Sequence, residues 1–94
     1  MRGGGDVLTF TPPPMTGDGP FVIGRRPTCD MFIDDPTVSS HHADLRRTDD
    51  GWLLIDVGSL NGTRVNGWRV RDTVLHDGDW IQMGTVSLLF EQDR

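Results

Sequence analysis

Lysine and tyrosine are absent from this 94-residue chain, and cysteine and glutamate occur once each. A lone Cys29 excludes an intramolecular disulfide and lacks the cysteine pairs of common structural zinc sites; it reads as a buried or half-buried thiol. No apolar run approaches the roughly 18 to 20 residues of a membrane-spanning helix, and the N-terminus has no apolar block of signal-peptide type. A soluble, cytoplasmic protein without membrane insertion is the expectation. Helical periodicity is missing too: no stretch of ten residues shows it, and 12 glycines and 6 prolines would interrupt one that did. With lysine absent, the nine basic residues are all arginines, set against 14 acids for a net charge of −5. That balance excludes nucleic-acid binding through a general basic field, which needs many cations on one face. An anionic ligand would need a local patch, and arginine's planar fork suits phosphate better than lysine's point charge.

What is present is a series of short apolar or alternating runs: VLTF at 7–10, FVIG at 21–24, MFI at 31–33, HADLRR at 42–47 and WLLIDV at 52–57, then RV at 64–65, RV at 69–70, TVL at 73–75, WIQM at 80–83 and VSLLF at 86–90. Turn formers separate them, among them DDP at 34–36, DDG at 49–51, NG at 61–62 and 66–67, and DGD at 77–79. This pattern predicts an all-β protein, a sandwich or barrel, in one domain over residues 7–94 behind a disordered glycine-rich tail at 1–6. Val86, Leu88 and Phe90 alternate with Ser87, Leu89 and Glu91, which turns one side of the last strand inward and places that strand near the first.

Three loop clusters carry the polar chemistry. Gly24-Arg25 ends a strand, where glycine lets the backbone turn away and the guanidinium projects from a rigid support. Val38-Ser39-Ser40-His41-His42-Ala43 offers hydroxyls and successive backbone N–H groups, the makings of an anion nest. In it His42 reads as an inward structural residue bonded to a neighbouring loop rather than as a proton shuttle. The serines and histidines invite a hydrolase reading, but their spacing in one loop is not that of a triad, and no G-x-S-x-G elbow is present. The third cluster runs from Asp56 to Gly67. Each Asn-Gly pair in it is a tight-turn signal, and an exposed Asn61 carboxamide, both donor and acceptor, complements an extended peptide's main chain. No enzyme, metal site or cofactor is expected: His41 and His42 point to opposite faces and His76 lies far off.

Taken in order, GR at 24–25, S-x-x-H at 39–42 and SLNGT-x-x-NG at 59–67 resemble the signature of the forkhead-associated (FHA) family. The likeness covers about residues 20 to 90 and is to compact bacterial members linked to Ser/Thr protein kinases. It implies a two-sheet β-sandwich of about ten to eleven short strands that binds phosphothreonine in an extended peptide. By position, Arg25, Ser39 and Ser40 would hold the phosphate. Asn61, with Leu60 and Arg64, would meet the peptide, and Gly24, His42, Gly62, Asn66 and Gly67 would hold the loops in shape. The implied partner is a phosphothreonine protein, such as a Ser/Thr kinase or its substrate. The alternative is a scaffolding domain of the same fold that binds its partner independently of phosphate; self-binding of a phosphorylated Thr9, Thr11 or Thr16 is a further one. Ser40 and His41 stand where the family often has two arginines, and Leu60 where it often has threonine, so a less cationic rim is expected. Protonated His41 would restore some of that charge, giving tighter binding at about pH 6 than at about pH 8, with phosphate's second ionisation acting the other way.

Overall fold

The computed structural model describes residues 7–12 and 19–92. The expected tail at 1–6 and Thr16 lie outside these. Ten strands and no helix occur among the described residues: β1 (Val7–Phe10), β2 (Phe21–Gly24), β3 (Met31–Phe32), β4 (Ala43–Thr48), β5 (Gly51–Asp56), β6 (Thr63–Val65), β7 (Trp68–Val70), β8 (Asp72–Leu75), β9 (Trp80–Met83) and β10 (Val86–Phe90). They form two five-stranded sheets, ordered β1-β10-β9-β6-β7 and β3-β2-β4-β5-β8. The last strand does lie beside the first: β10 pairs with β1 in parallel, as β2 does with β3, and the other pairings are antiparallel.

Period-2 alternation sets the inner faces. Leu88 and Phe90 of β10, Trp52 and Leu54 of β5, Ala43 and Leu45 of β4, and Ile81 and Met83 of β9 are all buried. Phe10 closes one flank, its ring centroid 5.5 Å from that of Phe21 and 6.1 Å from that of Phe90, so aromatic contacts tie β1 to both sheets. Trp52 also carries Arg47 over its ring at 5.5 Å.

The two Asn-Gly pairs have different fates. Asn66 and Gly67 both take positive φ, 53° and 87°, making the tight hairpin between β6 and β7. Asn61 does not, and only Gly62, at 84°, is left-handed. The reason is topological: β5 and β6 belong to different sheets, so the segment between them crosses from one layer to the other rather than folding back as a hairpin. That crossing lies beside the connections leaving β2 and entering β4 and forms one end of the sandwich.

Candidate functional site

The three polar clusters of the sequence meet at this end, stitched by backbone hydrogen bonds. Arg25 N donates to Ser39 O at 3.0 Å and Arg26 N to Ser40 O at 3.3 Å. The contact explains Gly24 differently from the turning argument above. Its φ is not positive, but a Cβ there would lie 2.2 Å from Ser40 O. Glycine is needed because two backbones approach too closely for a side chain.

His42 is completely buried and holds two loops. Ser39 N–H donates to its Nδ1 at 3.1 Å, and Nε2 stands 3.0 Å from Gly62 O. An amide can only donate and a carbonyl can only accept, so the ring is the neutral tautomer with its proton on Nε2. Both nitrogens are spent, and neither can take a proton from a serine hydroxyl.

A second anchor, the half-buried Asp56, went unremarked as a site residue in the sequence. Its Oδ1 accepts from Gly58 N and Ser59 N, both at 2.8 Å; its Oδ2 accepts from Ser59 Oγ at 2.6 Å and Thr63 Oγ1 at 2.8 Å. Ser59 Oγ in turn accepts from Gly62 N at 2.9 Å. Burial pushes the Asp56 carboxyl up, but the donors from Ser59, Thr63 and Gly58 outweigh it and hold it down at about 2. The signal available in sequence was the D-x-x-S spacing of a side-chain-capped turn.

On this frame the candidate recognition groups stand free. The Arg25 side chain is exposed and makes no ion pair or hydrogen bond among the described residues. Ser39 Oγ accepts from Leu60 N at 3.0 Å, which leaves the hydroxyl proton available to a ligand. Ser40 and its hydroxyl are exposed beside it. Asn61 Nδ2 donates to Thr37 O at 2.8 Å, so its carboxamide is fixed in orientation while Oδ1 and one N–H remain open. Leu60 is 86% exposed, an apolar side chain at the rim. Arg64 lies beyond Asn61 in an open hollow of about 320 Å³ with Thr37 and Thr85. Asn66, by contrast, is drawn away from the loops: its side chain bonds Asp79 Oδ1 and Trp80 N, both at 3.0 Å, bracing the β6–β7 hairpin against β9.

Beside the hollow Asp35 accepts from the Thr37 hydroxyl and from Thr37 N, and these bonds lower its carboxyl from the usual value, with Arg25 adding a smaller attraction. His41 has a side-chain partner at the rim: its Nε2 sits 2.5 Å from Asp44 Oδ1.

A free guanidinium, a hydroxyl with its proton unspent and an oriented carboxamide, on adjoining loops at one end of a β-sandwich, define a surface suited to gripping an anionic peptide. The FHA domain model matches residues 21–84, and the chain belongs to the FHA domain family, the phosphopeptide-binding modules of signalling. It is 51% identical over 69 residues to the oxoglutarate dehydrogenase inhibitor of Corynebacterium jeikeium, a match covering 73% of this chain and 48% of that protein. It is 48% identical over 67 residues to the glycogen accumulation regulator GarA of Mycobacterium tuberculosis, covering 71% and 41%. The chain thus spans about half the length of these relatives or less. Among solved structures it is similar to a chain from a study of phosphothreonine-dependent FHA domain interactions, with a TM-score of 0.70, 35% identity, and coverage of 76% and 74%. It is also similar to the FHA-2 domain of the Mycobacterium tuberculosis ABC transporter Rv1747, with a TM-score of 0.71, 41% identity, and coverage of 84% and 76%.

Proposed function

We propose that residues 7–94 form one non-catalytic module that clasps phosphothreonine in an extended peptide with Arg25, Ser39 and Ser40, and reads the following backbone with Asn61. The observation that carries this reading is the division of labour at the site. His42 and Asp56 are consumed in holding the loops, while the Arg25 guanidinium, the Ser39 hydroxyl proton and Asn61 Oδ1 are left unspent on adjoining loops. Leu60 and Arg64 flank the peptide path, and Gly24, Gly62, Asn66 and Gly67 keep the backbone in place. Phosphorylation then acts as the switch, because an unmodified threonine offers no doubly charged group for a charge-assisted hydrogen bond.

The neighbours named for phosphothreonine-dependent interactions, and the FhaA FHA domain solved with the intracellular domain of Rv3910, support a partner of this kind. A cytoplasmic Ser/Thr kinase or one of its substrates fits that description. Titration of a phosphothreonine peptide library against matched unphosphorylated peptides tests the reading. Phosphate-dependent binding is expected, and Arg25→Ala should weaken it about a hundredfold or more, since loss of one charged partner costs roughly 2 to 5 kcal/mol. Equal binding of phosphorylated and unmodified peptides would replace the clasp with a phosphate-independent scaffold.

A further inference from the structure

β6 and β7 present two arginines directly opposite one another: Arg64 and Arg69 are Cα partners in the antiparallel register. Cross-strand partners share a face, and Arg64 is likewise opposite Gln82 on β9, so both project from the outer side of the sheet. Like charges placed this way repel. Neither side chain finds an ion pair or hydrogen bond among the described residues, although the chain has many more acids than bases. Both nevertheless sit against the Asn61-Gly62 loop. Arg64 lines the hollow that holds Asn61, and the guanidinium of Arg69 packs on Gly62, with Cζ 2.9 Å from where a Cβ would stand. The left-handed φ of Gly62 and the missing side chain are what let that guanidinium close on the loop.

An unneutralised pair of arginines, set beside the carboxamide that is to read peptide backbone, has a natural complement. We infer that Arg64 and Arg69 form a second anion subsite, which takes a carboxylate or a second phosphate carried by the peptide downstream of the phosphothreonine. This rests on the phosphothreonine reading above and adds to it a substrate class: phosphopeptides acidic, or doubly phosphorylated, on that side. Binding relieves the repulsion between the two guanidinium groups, so the pair contributes to discrimination among phosphopeptides. The rim positions Ser40 and His41 cannot do this, one being uncharged and the other already paired with Asp44.

The test uses the full chain and a phosphothreonine peptide with alanine at the four positions on each side of the phosphothreonine. Single Asp substitutions at each position, and a phosphoserine at the best of them, form the two arms for carboxylate and phosphate. The expected result is a gain of about twofold to fivefold for Asp at one or two downstream positions, the scale of exposed ion pairs. A larger gain is expected for phosphoserine with its greater charge. Arg64→Gln and Arg69→Gln, together, should abolish both gains, each read as the ratio of the acidic peptide's affinity to that of the alanine-flanked peptide for the same variant. Because Arg69 packs on Gly62, retained phosphate-dependent binding of the alanine-flanked peptide certifies that the loop is intact. If the alanine-flanked peptide binds but no acidic position improves it, or if the gain survives in the double variant, the subsite is refuted and the phosphothreonine clasp stands. If no phosphopeptide binds at all, the clasp fails and the subsite with it.

Discussion

Replacing Asp56 isolates the scaffold from the recognition groups, because this carboxylate touches no part of the proposed ligand path yet fastens the loop that carries Leu60 and Asn61. Its carboxyl is held at about 2, against 3.8 for the free group. The folded value is the lower one, so the folded protein binds this proton more weakly than the unfolded chain does. The stabilisation is therefore complete above about pH 4 and is lost as pH falls from about 3.8 through 2. The full shift corresponds to about 2.5 kcal/mol. Since the carboxylate is partly open to water, screening reduces this to about 1 kcal/mol.

Asp56→Ala removes more than the charge. Thr63 is fully buried, and its hydroxyl loses the Asp56 partner. An unsatisfied buried hydroxyl costs about 1 to 3 kcal/mol, whereas the exposed Gly58 amide can turn to water. A total of about 2 to 3 kcal/mol follows, a fall in Tm of about 10 to 20 °C for a chain of this size. Asp56→Asn keeps the shape and the Oδ1 acceptor, turns a donating amide toward the Ser59 and Thr63 hydroxyls in place of Oδ2, and removes the titration, so its pH dependence rather than its absolute stability is the comparison. Urea denaturation, followed through the fluorescence of buried Trp52 on the same strand, should be run at about pH 7, 4 and 2.5. The wild type should lose about 1 kcal/mol more than Asp56→Asn between the upper and lower pH values. Parallel curves for the two proteins, or an alanine variant within about 0.5 kcal/mol of wild type at neutral pH, would refute this account of the loop.

Three further substitutions separate packing from recognition. His42→Ala leaves Ser39 N and Gly62 O without their partner in a fully buried position and should cost about 3 kcal/mol in chemical denaturation; a loss under 1 would show that the ring is not the tie between the loops. Gly24→Ala drives a methyl into Ser40 O and should cost about 2 kcal/mol or more while abolishing phosphopeptide binding in calorimetry. Unchanged binding would mean that the loops tolerate separation. Ser39→Ala should weaken the phosphopeptide about tenfold, with stability within about 1 kcal/mol of wild type, since the Leu60 amide it frees is exposed. Equal affinity would remove the hydroxyl from the clasp.

The strand pattern was open to sequence reading because turn residues punctuate it: DDG at 49–51 and the Asn66-Gly67 pair each sit between two strands that pair directly. The first Asn-Gly was less transparent. Asn61-Gly62 carries the same dipeptide signal as Asn66-Gly67, but it links different sheets, and no local rule distinguishes a hairpin from a crossing. Arg25, Ser39 and Asn61 could be named from their ordered spacing, and the structure places them on adjoining loops. What their spacing could not convey is which polar groups are already spent. Asp56 looked like one aspartate of 13 until its four donors were visible. His41 looked like a free side chain at the rim, but Asp44, three residues on along the chain, lies beside it. The Arg64–Arg69 pairing depends on the register of a hairpin, which the sequence implies only once both strands are fixed.

These spent and unspent groups decide what kind of selectivity the end of the sandwich can have. A cationic rim around the phosphate would raise affinity for any phosphorylated segment and speed encounter with all of them. Here Ser40 is neutral and His41 is paired with Asp44, while the exposed Arg64 and Arg69 lie across the Asn61-Gly62 loop. A phosphopeptide with neutral flanks gains nothing from them, while one with an anion downstream does. Moving positive charge from the phosphate rim to the peptide's exit converts general attraction into discrimination by flanking sequence. Its salt dependence should follow the same division: the advantage of an acidic peptide over an alanine-flanked one should shrink between about 0.05 and 0.5 M salt, as exposed pairs are screened.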